Sequence, residues 1–152
     1  RVSTKSYTRL KEKIKRLTGR SWPVSMEERL LKLSQVTRGW VNYFYRANAR
    51  THLLELDKWM QARLRMCIWK QWKWVRTRIK NLQKLGASQQ KAYEWGNTRK
   101  GYWRTAHSPI LQSTITIERL KQKGYVPLMD TYTLRRKTLV NRRDTRTVRP
   151  VV

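Results

Sequence analysis

The residues of this sequence that are equipped for chemistry are aromatic rings and cations rather than acids and nucleophiles. Trp69-Lys70-Gln71-Trp72-Lys73-Trp74 alternates indole rings with positive charge, and Val75-Arg76-Thr77-Arg78 continues the charge. The mixture returns in Arg99-Lys100-Gly101-Tyr102-Trp103-Arg104. Flat rings offer stacking surfaces to bases, and cations are attracted to phosphates. The pattern therefore indicates contact with nucleic acid, although many of these rings are expected to be core residues.

Residues that could support catalysis or hold a metal are sparse. His52 and His107 are the only histidines, and neither has a cysteine or carboxylate partner at the spacing that metal ligands need. No glycine-rich phosphate loop and no paired aspartates are present. Glu12, Glu55 and Asp57 are expected to be ordinary helix charges. We therefore expect no catalysis, metal or cofactor in this chain alone.

The charge balance is one-sided. Lys and Arg number 36 against 9 Asp and Glu, which gives a formal net charge of +27 over 152 residues. Such a charge repels itself in a compact fold, and polyanion binding is its common explanation. No apolar run is long enough to cross a bilayer, so no membrane association is expected. A single cysteine, Cys67, is expected to be a small buried hydrophobe and fits a reducing, cytosolic setting.

Hydrophobic spacing and capping residues predict an all-α chain, with a small helical bundle followed by a helical, loop-rich basic segment. The Ser25-Met26-Glu27-Glu28 capping box predicts a short helix, and Val36 to Ala47 a separate one with Gly39 at a close contact or a break. The other predicted helices cover 3–18, 51–74, a stretch ending at Leu85, one capped by Ser88, one starting at Ser108-Pro109, 116–123, and a short terminal turn near Leu128.

The C-terminal tail loses this pattern. From Arg135 onward seven arginines and lysines face one acid, Asp144. A segment of this composition cannot bury enough apolar surface to fold alone, so residues 133–152 are predicted to be a disordered basic tail.

An ordered series of short motifs resembles one known family. The first half carries Ser25-Met26-Glu27-Glu28, Arg38-Gly39-Trp40-Val41-Asn42-Tyr43-Phe44, Leu56-Asp57-Lys58-Trp59, Arg63-Leu64-Arg65 and Trp69-Lys70-Gln71-Trp72-Lys73. The second half carries Lys84-Leu85-Gly86, Ala92-Tyr93-Glu94-Trp95, Arg99-Lys100-Gly101-Tyr102-Trp103 and His107-Ser108-Pro109. Together they resemble the C-terminal part of group II intron reverse transcriptases, the first set its maturase-specific region.

The resemblance implies a division of the chain that composition does not show. Residues 3–74 correspond to the thumb, or maturase domain X, and residues 75–132 to the DNA-binding segment, with 133–152 as the tail. In that family the thumb holds intron RNA and the template–primer duplex and helps the RNA reach its splicing-competent fold. The second segment contacts target DNA. The similarity to bacterial members implies a bacterial cytoplasmic location.

The family's fingers and palm, with the aspartates that bind catalytic metals, have no counterpart in this sequence. The resemblance thus implies a nucleic-acid-binding module that does not synthesise DNA alone. Its expected partners are group II intron RNA, target or template–primer DNA, and a fingers–palm domain. Two alternatives stay open: a portion of an RNA-directed DNA polymerase that is active only with its fingers–palm part, and a small architectural RNA- or DNA-binding protein.

The candidate nucleic-acid-binding residues are the cations and rings of the basic helix faces and of the two aromatic segments. They are Lys5, Arg9, Arg16, Arg65, Trp69, Lys70, Lys73, Arg76, Arg78, Arg99, Lys100, Tyr102 and Arg104. Trp69 is expected to project away from the core between Arg65 and Lys73, where it would offer a stacking platform, or else to pack on the second half of the chain.

Overall fold

A computed structural model describes residues 3–147 of the chain, and the side chains of residues 3–139. The described residues fold into helices only, which confirms the all-α prediction. In chain order they are α1 (Thr4–Leu17), α2 (Met26–Phe44), α3 (Arg50–Gln71), α4 (Val75–Lys84), α5 (Gln89–Gly96), α6 (Tyr102–Ala106), α7 (Pro109–Thr114), α8 (Ile117–Lys123) and α9 (Leu128–Thr147).

Local signals explain where most helices start and stop. Five helices begin with a hydroxyl that accepts a hydrogen bond from the amide three residues later, the standard N-cap arrangement, at Ser3, Ser25, Ser88, Ser108 and Thr116. Gly86 and Gly124 follow α4 and α8 with φ of +106° and +119°, a backbone region that favours glycine. The capping box is formed only in part, because the Glu28 carboxylate lies 3.5 Å from Lys32 Nζ.

Helix α3 is the centre of the fold. Its apolar residues are buried on several faces, and α1, α6 and α9 all pack against it. The predicted core face of Leu53, Leu56, Met60, Leu64 and Cys67 is buried, as expected. The Cys67 thiol lies 3.1 Å from the Thr18 carbonyl oxygen, and burial raises its pKa. The apolar core continues into the second half of the chain through Leu82, Ala92, Leu111 and Leu120.

Helix α2 corrects the prediction of two separate helices around Gly39. It runs without interruption from Met26 to Phe44, and Gly39 is exposed with no atom within 4 Å of the position that a Cβ would take. Neither a break nor a close contact is therefore present. A glycine costs a helix about 1 kcal/mol relative to alanine, which the burial of Leu33, Thr37 and Val41 on both sides of it offsets.

Helix α9 corrects the prediction of a disordered tail. It is helical to Thr147, so residues 133–147 are not disordered, while residues 148–152 lie outside the described part. Its first half is anchored by polar contacts. Tyr132 donates its hydroxyl hydrogen to the Ala47 carbonyl at 2.8 Å, and Arg136 donates to the Tyr45 carbonyl at 3.2 Å. These partners lie more than eighty residues away, so no local pattern announces them.

Asp57 on α3 supplies the N-cap that α9 lacks locally. Its carboxylate accepts hydrogen bonds from the amides of Leu128 and Met129 at 2.8 and 3.0 Å and from the Tyr125 hydroxyl at 3.0 Å. Burial raises the pKa of Asp57, and these three hydrogen bonds oppose the rise. The expectation that Asp57 is an ordinary helix charge is therefore wrong, because it joins α3 to α9.

Asp57→Asn is expected to lower the free energy of unfolding by roughly 2 kcal/mol. One of the three donors that now contact the carboxylate would face the N–H group of the asparagine amide instead and lose its acceptor. Urea denaturation followed by circular dichroism measures the change. Glu55→Gln on the exposed side of α3 is the matched control and should stay within about 0.5 kcal/mol of the unaltered chain. Equal stability of the two variants would contradict a capping role for Asp57.

Candidate nucleic-acid interface

The folded chain leaves most of its positive charge without carboxylate partners. Among residues 3–139 two ion pairs form, Lys32 with Glu28 and Lys121 with Asp130, at 3.5 and 3.4 Å. Both pairs are solvent-exposed, so each contributes little to stability. Because the formal excess is +27, the surface is strongly positive, and a bound polyanion would relieve the repulsion.

Six arginines have an internal role that separates them from the other cations. They donate to carbonyls at or beside helix C-termini, where backbone oxygens have no intrahelical partner. Arg29 serves the end of α1 through Leu17, Gly19 and Trp22. The other five donate to carbonyls at the ends of these helices: Arg63 at the end of α1, Arg65 at the end of α7, Arg78 at the end of α3, Arg119 at the ends of α4 and α7, and Arg136 at the end of α2.

The clearest convergence of cations surrounds the ring of Tyr102, at the start of α6. Arg20, Lys70 and Arg78 place their charged groups 4.8, 5.3 and 5.6 Å from the Tyr102 ring centroid. These four residues are called the Tyr102 cluster. Each cation is within reach of a cation–π attraction, but none of the three forms an ion pair with a carboxylate of the described residues. Three like charges therefore surround one half-buried ring.

A groove between α1, α3 and α6 is lined by residues on the same side of α3 as Lys70. Trp59, Arg63, Met66 and Lys70 recur at helical spacing, so Lys70 of the Tyr102 cluster and the groove residues share one side of the helix. The groove has a volume of about 520 Å³ and is called the Trp59 groove. It is lined by Thr8, Lys11, Glu12, Lys15, Trp59, Arg63, Met66 and Trp103.

Three of the sequence-predicted binding residues meet in the Tyr102 cluster. Lys70 is exposed, whereas Tyr102 and Arg78 are half-buried. Arg78 has a second, structural role, because its guanidinium donates to the Trp69 carbonyl at 3.3 Å and lies 4.5 Å from the Trp69 ring centroid. Sequence reasoning thus found part of this cluster, although the three predicted members come from three separate helices.

Arg65 and Trp69 are not exposed, which corrects the prediction that they face a partner. Trp69 is 1% exposed and belongs to the core, where it contacts Trp72 and Arg78. Arg65 is 6% exposed and its Nε donates to the Ile115 carbonyl at 2.8 Å. Both residues lie on the side of α3 that the second half of the chain covers. The alternative expectation, that Trp69 packs on the second half of the chain, is the correct one.

The other predicted cations are exposed but are not part of the Tyr102 cluster. Lys73 and Arg76 flank the turn between α3 and α4, where Lys73 Nζ lies 5.2 Å from the ring centroid of the exposed Trp74. Lys100 Nζ lies 4.8 Å from the Trp95 ring centroid. The remaining exposed cations are Arg99 and Arg104 near α6, and Lys5, Arg9 and Arg16 on α1.

Several residues of both sites were not among the predicted ones. Trp59 and Arg63 share the helical stripe of Lys70, so periodicity along α3 was a signal that could have found them. Arg20 follows the end of α1, and its approach to Tyr102 depends on how α6 packs. No local pattern predicts a contact across eighty residues of sequence.

The described residues provide neither a metal site nor a membrane-spanning helix. The residues that the structure describes contain no group of histidine, cysteine and carboxylate side chains arranged to hold a metal ion. Among the described helices, none is long and apolar enough to cross a membrane.

Comparison with known proteins places the chain in a family. A sequence model of the group II intron maturase-specific domain matches residues 7–86, which is just over half of the chain and extends from α1 through α4. A search of curated protein sequences found no match. The domain carries a maturase-related role in splicing and implies interaction with group II intron RNA. With that match and an all-helical fold, the chain belongs to the group II intron maturase-specific domain family.

Proposed function

We propose that this chain binds structured group II intron RNA and thereby assists its splicing, without performing chemistry itself. The observation that carries the proposal is the Tyr102 cluster, in which Arg20, Lys70 and Arg78 converge on one ring without a carboxylate partner among the described residues. A phosphate group of folded RNA is the anion that fits such a site, whose three cations lie within the residues that match the maturase-specific domain.

Binding is sufficient to assist splicing. A protein that binds the folded RNA more tightly than the unfolded RNA shifts the RNA toward its folded state by the difference in binding free energy. Phosphate contacts from Arg20 and Lys70 would set position and orientation but carry no base information. Recognition would then depend on the spacing of phosphates and 2′-hydroxyls in the folded intron.

DNA contact is the second part of the proposal and concerns residues 75–132. Arg76, Arg99, Lys100 and Arg104 are exposed there, and the exposed ring of Trp74 borders the segment. Residues 3–74 would act as the thumb that holds RNA. Because the hydrophobic core includes residues from both segments, RNA and DNA contacts would be made from one packed helical unit.

Polymerisation would require a fingers–palm partner. The buried Asp57 is used to cap α9, and the described residues hold no metal-ligand cluster. The chain would therefore contribute nucleic-acid binding to such a partner rather than catalytic groups.

The test is a binding assay that compares a structured group II intron RNA, an unrelated structured RNA of equal length, and duplex DNA. The intron RNA is expected to bind more than tenfold more tightly than the unrelated RNA at physiological salt, a difference of about 1.4 kcal/mol. Filter binding or fluorescence anisotropy with labelled RNA measures it. Equal affinity for all three would contradict the proposal, since the chain would then be a basic surface without selectivity for the intron.

A further inference from the structure

The Trp59 groove combines features that bare phosphate binding does not need. Its volume of about 520 Å³ falls in the range of small-molecule pockets, about 300–1,000 Å³. Two indole rings line it, Trp59 from α3 and Trp103 from α6, and Trp103 is 38% exposed. A groove of this volume that is lined by two indole rings suits a planar aromatic ligand.

Arg63 fixes the shape of this groove. Its guanidinium lies 5.4 Å from the Trp59 ring centroid and 5.9 Å from the Trp103 ring centroid. The same group is tied to the end of α1, because Nε donates to Thr18 Oγ1 at 2.7 Å and Nη2 donates to the Lys15 carbonyl at 3.2 Å. Arg63 is therefore held at the end of α1 and lies beside both rings, so α1, α3 and α6 meet at this side chain.

The polar residues of the groove match the two halves of a nucleotide. Lys11 and Lys15 are exposed one turn apart on α1, and Lys11 Nζ lies 5.1 Å from the Trp59 ring centroid. These lysines suit phosphates. Glu12 lines the same groove, and a carboxylate repels phosphate but accepts hydrogen bonds from the amino groups of adenine, cytosine or guanine. A polyanion without bases would gain nothing from Glu12 or from the rings.

We propose that the Trp59 groove holds one unpaired nucleotide, with its base stacked on the exposed ring of Trp103 and its phosphate beside Lys11 and Lys15. A base inside a duplex is stacked on its neighbours and cannot reach a groove of this kind, so the ligand is a bulged, looped or single-stranded base. Stacking on an aromatic side chain contributes about 1–3 kcal/mol per base. The inference rests on the proposed function but adds a base-binding site to it.

The test compares a single strand of six adenine nucleotides with an abasic strand of equal length and charge. Both strands are tested in ribose and deoxyribose forms. The unaltered chain is expected to bind the strand with bases about tenfold more tightly. Trp103→Ala should remove this preference and leave the abasic strand unaffected. Lys15→Gln should weaken both strands by the same factor, because it removes a phosphate contact, whereas Lys11 also lies against the Trp59 ring. Tyr93→Ala removes an exposed ring of α5 outside the groove and should leave the preference unchanged.

A second measurement needs no variant, in case Trp103→Ala lowers the stability of the fold. A single strand that carries 4-thiouridine is crosslinked to the unaltered chain, and the crosslinked peptide is identified by mass spectrometry. Crosslinks to the segments around Trp59 or Trp103 are expected. The inference is overturned if the abasic strand binds as tightly as the strand with bases, or if every crosslink lies outside the groove. Selectivity for intron RNA over unrelated RNA, measured on the same preparation, shows whether the proposed function survives that result.

Discussion

Replacing Arg29 by methionine is expected to lower the free energy of unfolding by roughly 3 kcal/mol. Arg29 is 2% exposed, and its guanidinium donates to the carbonyls of Leu17, Gly19 and Trp22 at 2.8 to 2.9 Å. Methionine fills a similar volume but donates nothing, so the carbonyls at the end of α1 lose their partner in a place that water reaches poorly. The loss should therefore exceed that of any exposed charge.

Urea denaturation followed by helical circular dichroism measures the effect of Arg29→Met. Arg38→Met is the matched control, because Arg38 lies on the exposed side of the same helix, and its replacement should change stability by no more than about 0.5 kcal/mol. Arg29→Lys should be nearly as harmful as Arg29→Met, since one ammonium group cannot reproduce the planar fork of donors. If Arg29→Met and Arg38→Met unfold at the same urea concentration, the three hydrogen bonds are not what holds α1 in place.

Local sequence signals were enough to predict most helices, because the physical causes of those helices are themselves local. A serine or threonine placed three residues before a free amide starts a helix at Ser25, Ser88 and Ser108. A glycine that tolerates positive φ ends one at Gly86 and Gly124. Each signal acts within one turn of backbone, so it can be recognised without knowledge of the fold.

The two errors of fold have non-local causes. Gly39 looked like a break, but the helix on both sides of it is held by burial against other helices, which a single glycine cannot outweigh. The tail looked disordered because α9 has few apolar residues, yet Asp57 caps its first turn from 71 and 72 residues away. The composition of the tail is typical of a disordered segment. The contacts that hold α9 come from residues distant in sequence, so they are known only from the fold.

The candidate site shows the same division between local and non-local information. Composition predicted a basic, aromatic surface, and Lys70, Arg78 and Tyr102 do meet in one cluster. Trp69 and Arg65 belong to the same basic and aromatic segments, but they lie on the covered side of a helix that is buried on several faces. Their local sequence resembles that of the exposed residues, so only packing separates them.

The arginines that cap helix ends add a reason why charge alone is a poor guide to binding residues. Arg29, Arg119 and Arg136 contribute to the formal charge of the chain, but their donors are used within the fold. Lysines have compact ammonium groups and take little part in this capping among the described residues. The cations whose N–H groups remain available to bind phosphate should therefore be mainly lysines. Arg20 and the exposed arginines of α1 and α6 join them.

RNA affinity is expected to fall steeply with salt, by about a thousandfold between 50 and 200 mM if six phosphates are contacted. Each phosphate that a cation neutralises releases a counterion, so the slope of log affinity against log salt counts the contacts. Replacing both Arg20 and Lys70 by glutamine should reduce this slope by about two, since neither side chain of the Tyr102 cluster donates a hydrogen bond within the described part of the chain. Fluorescence anisotropy at five or more salt concentrations gives the slope.

The matched control removes the same charge from a different place. Lys32 and Lys121 are already paired with Glu28 and Asp130, so replacing both by glutamine lowers the net charge equally but removes no free phosphate donor. The slope of this control should stay within the error of the unaltered chain. If both double variants reduce the slope alike, the affinity for RNA follows net charge, and the Tyr102 cluster is not a point of contact. A smaller slope in the Arg20 and Lys70 variant alone would locate two of the phosphate contacts at Tyr102, because only a local contact depends on where the charge is removed.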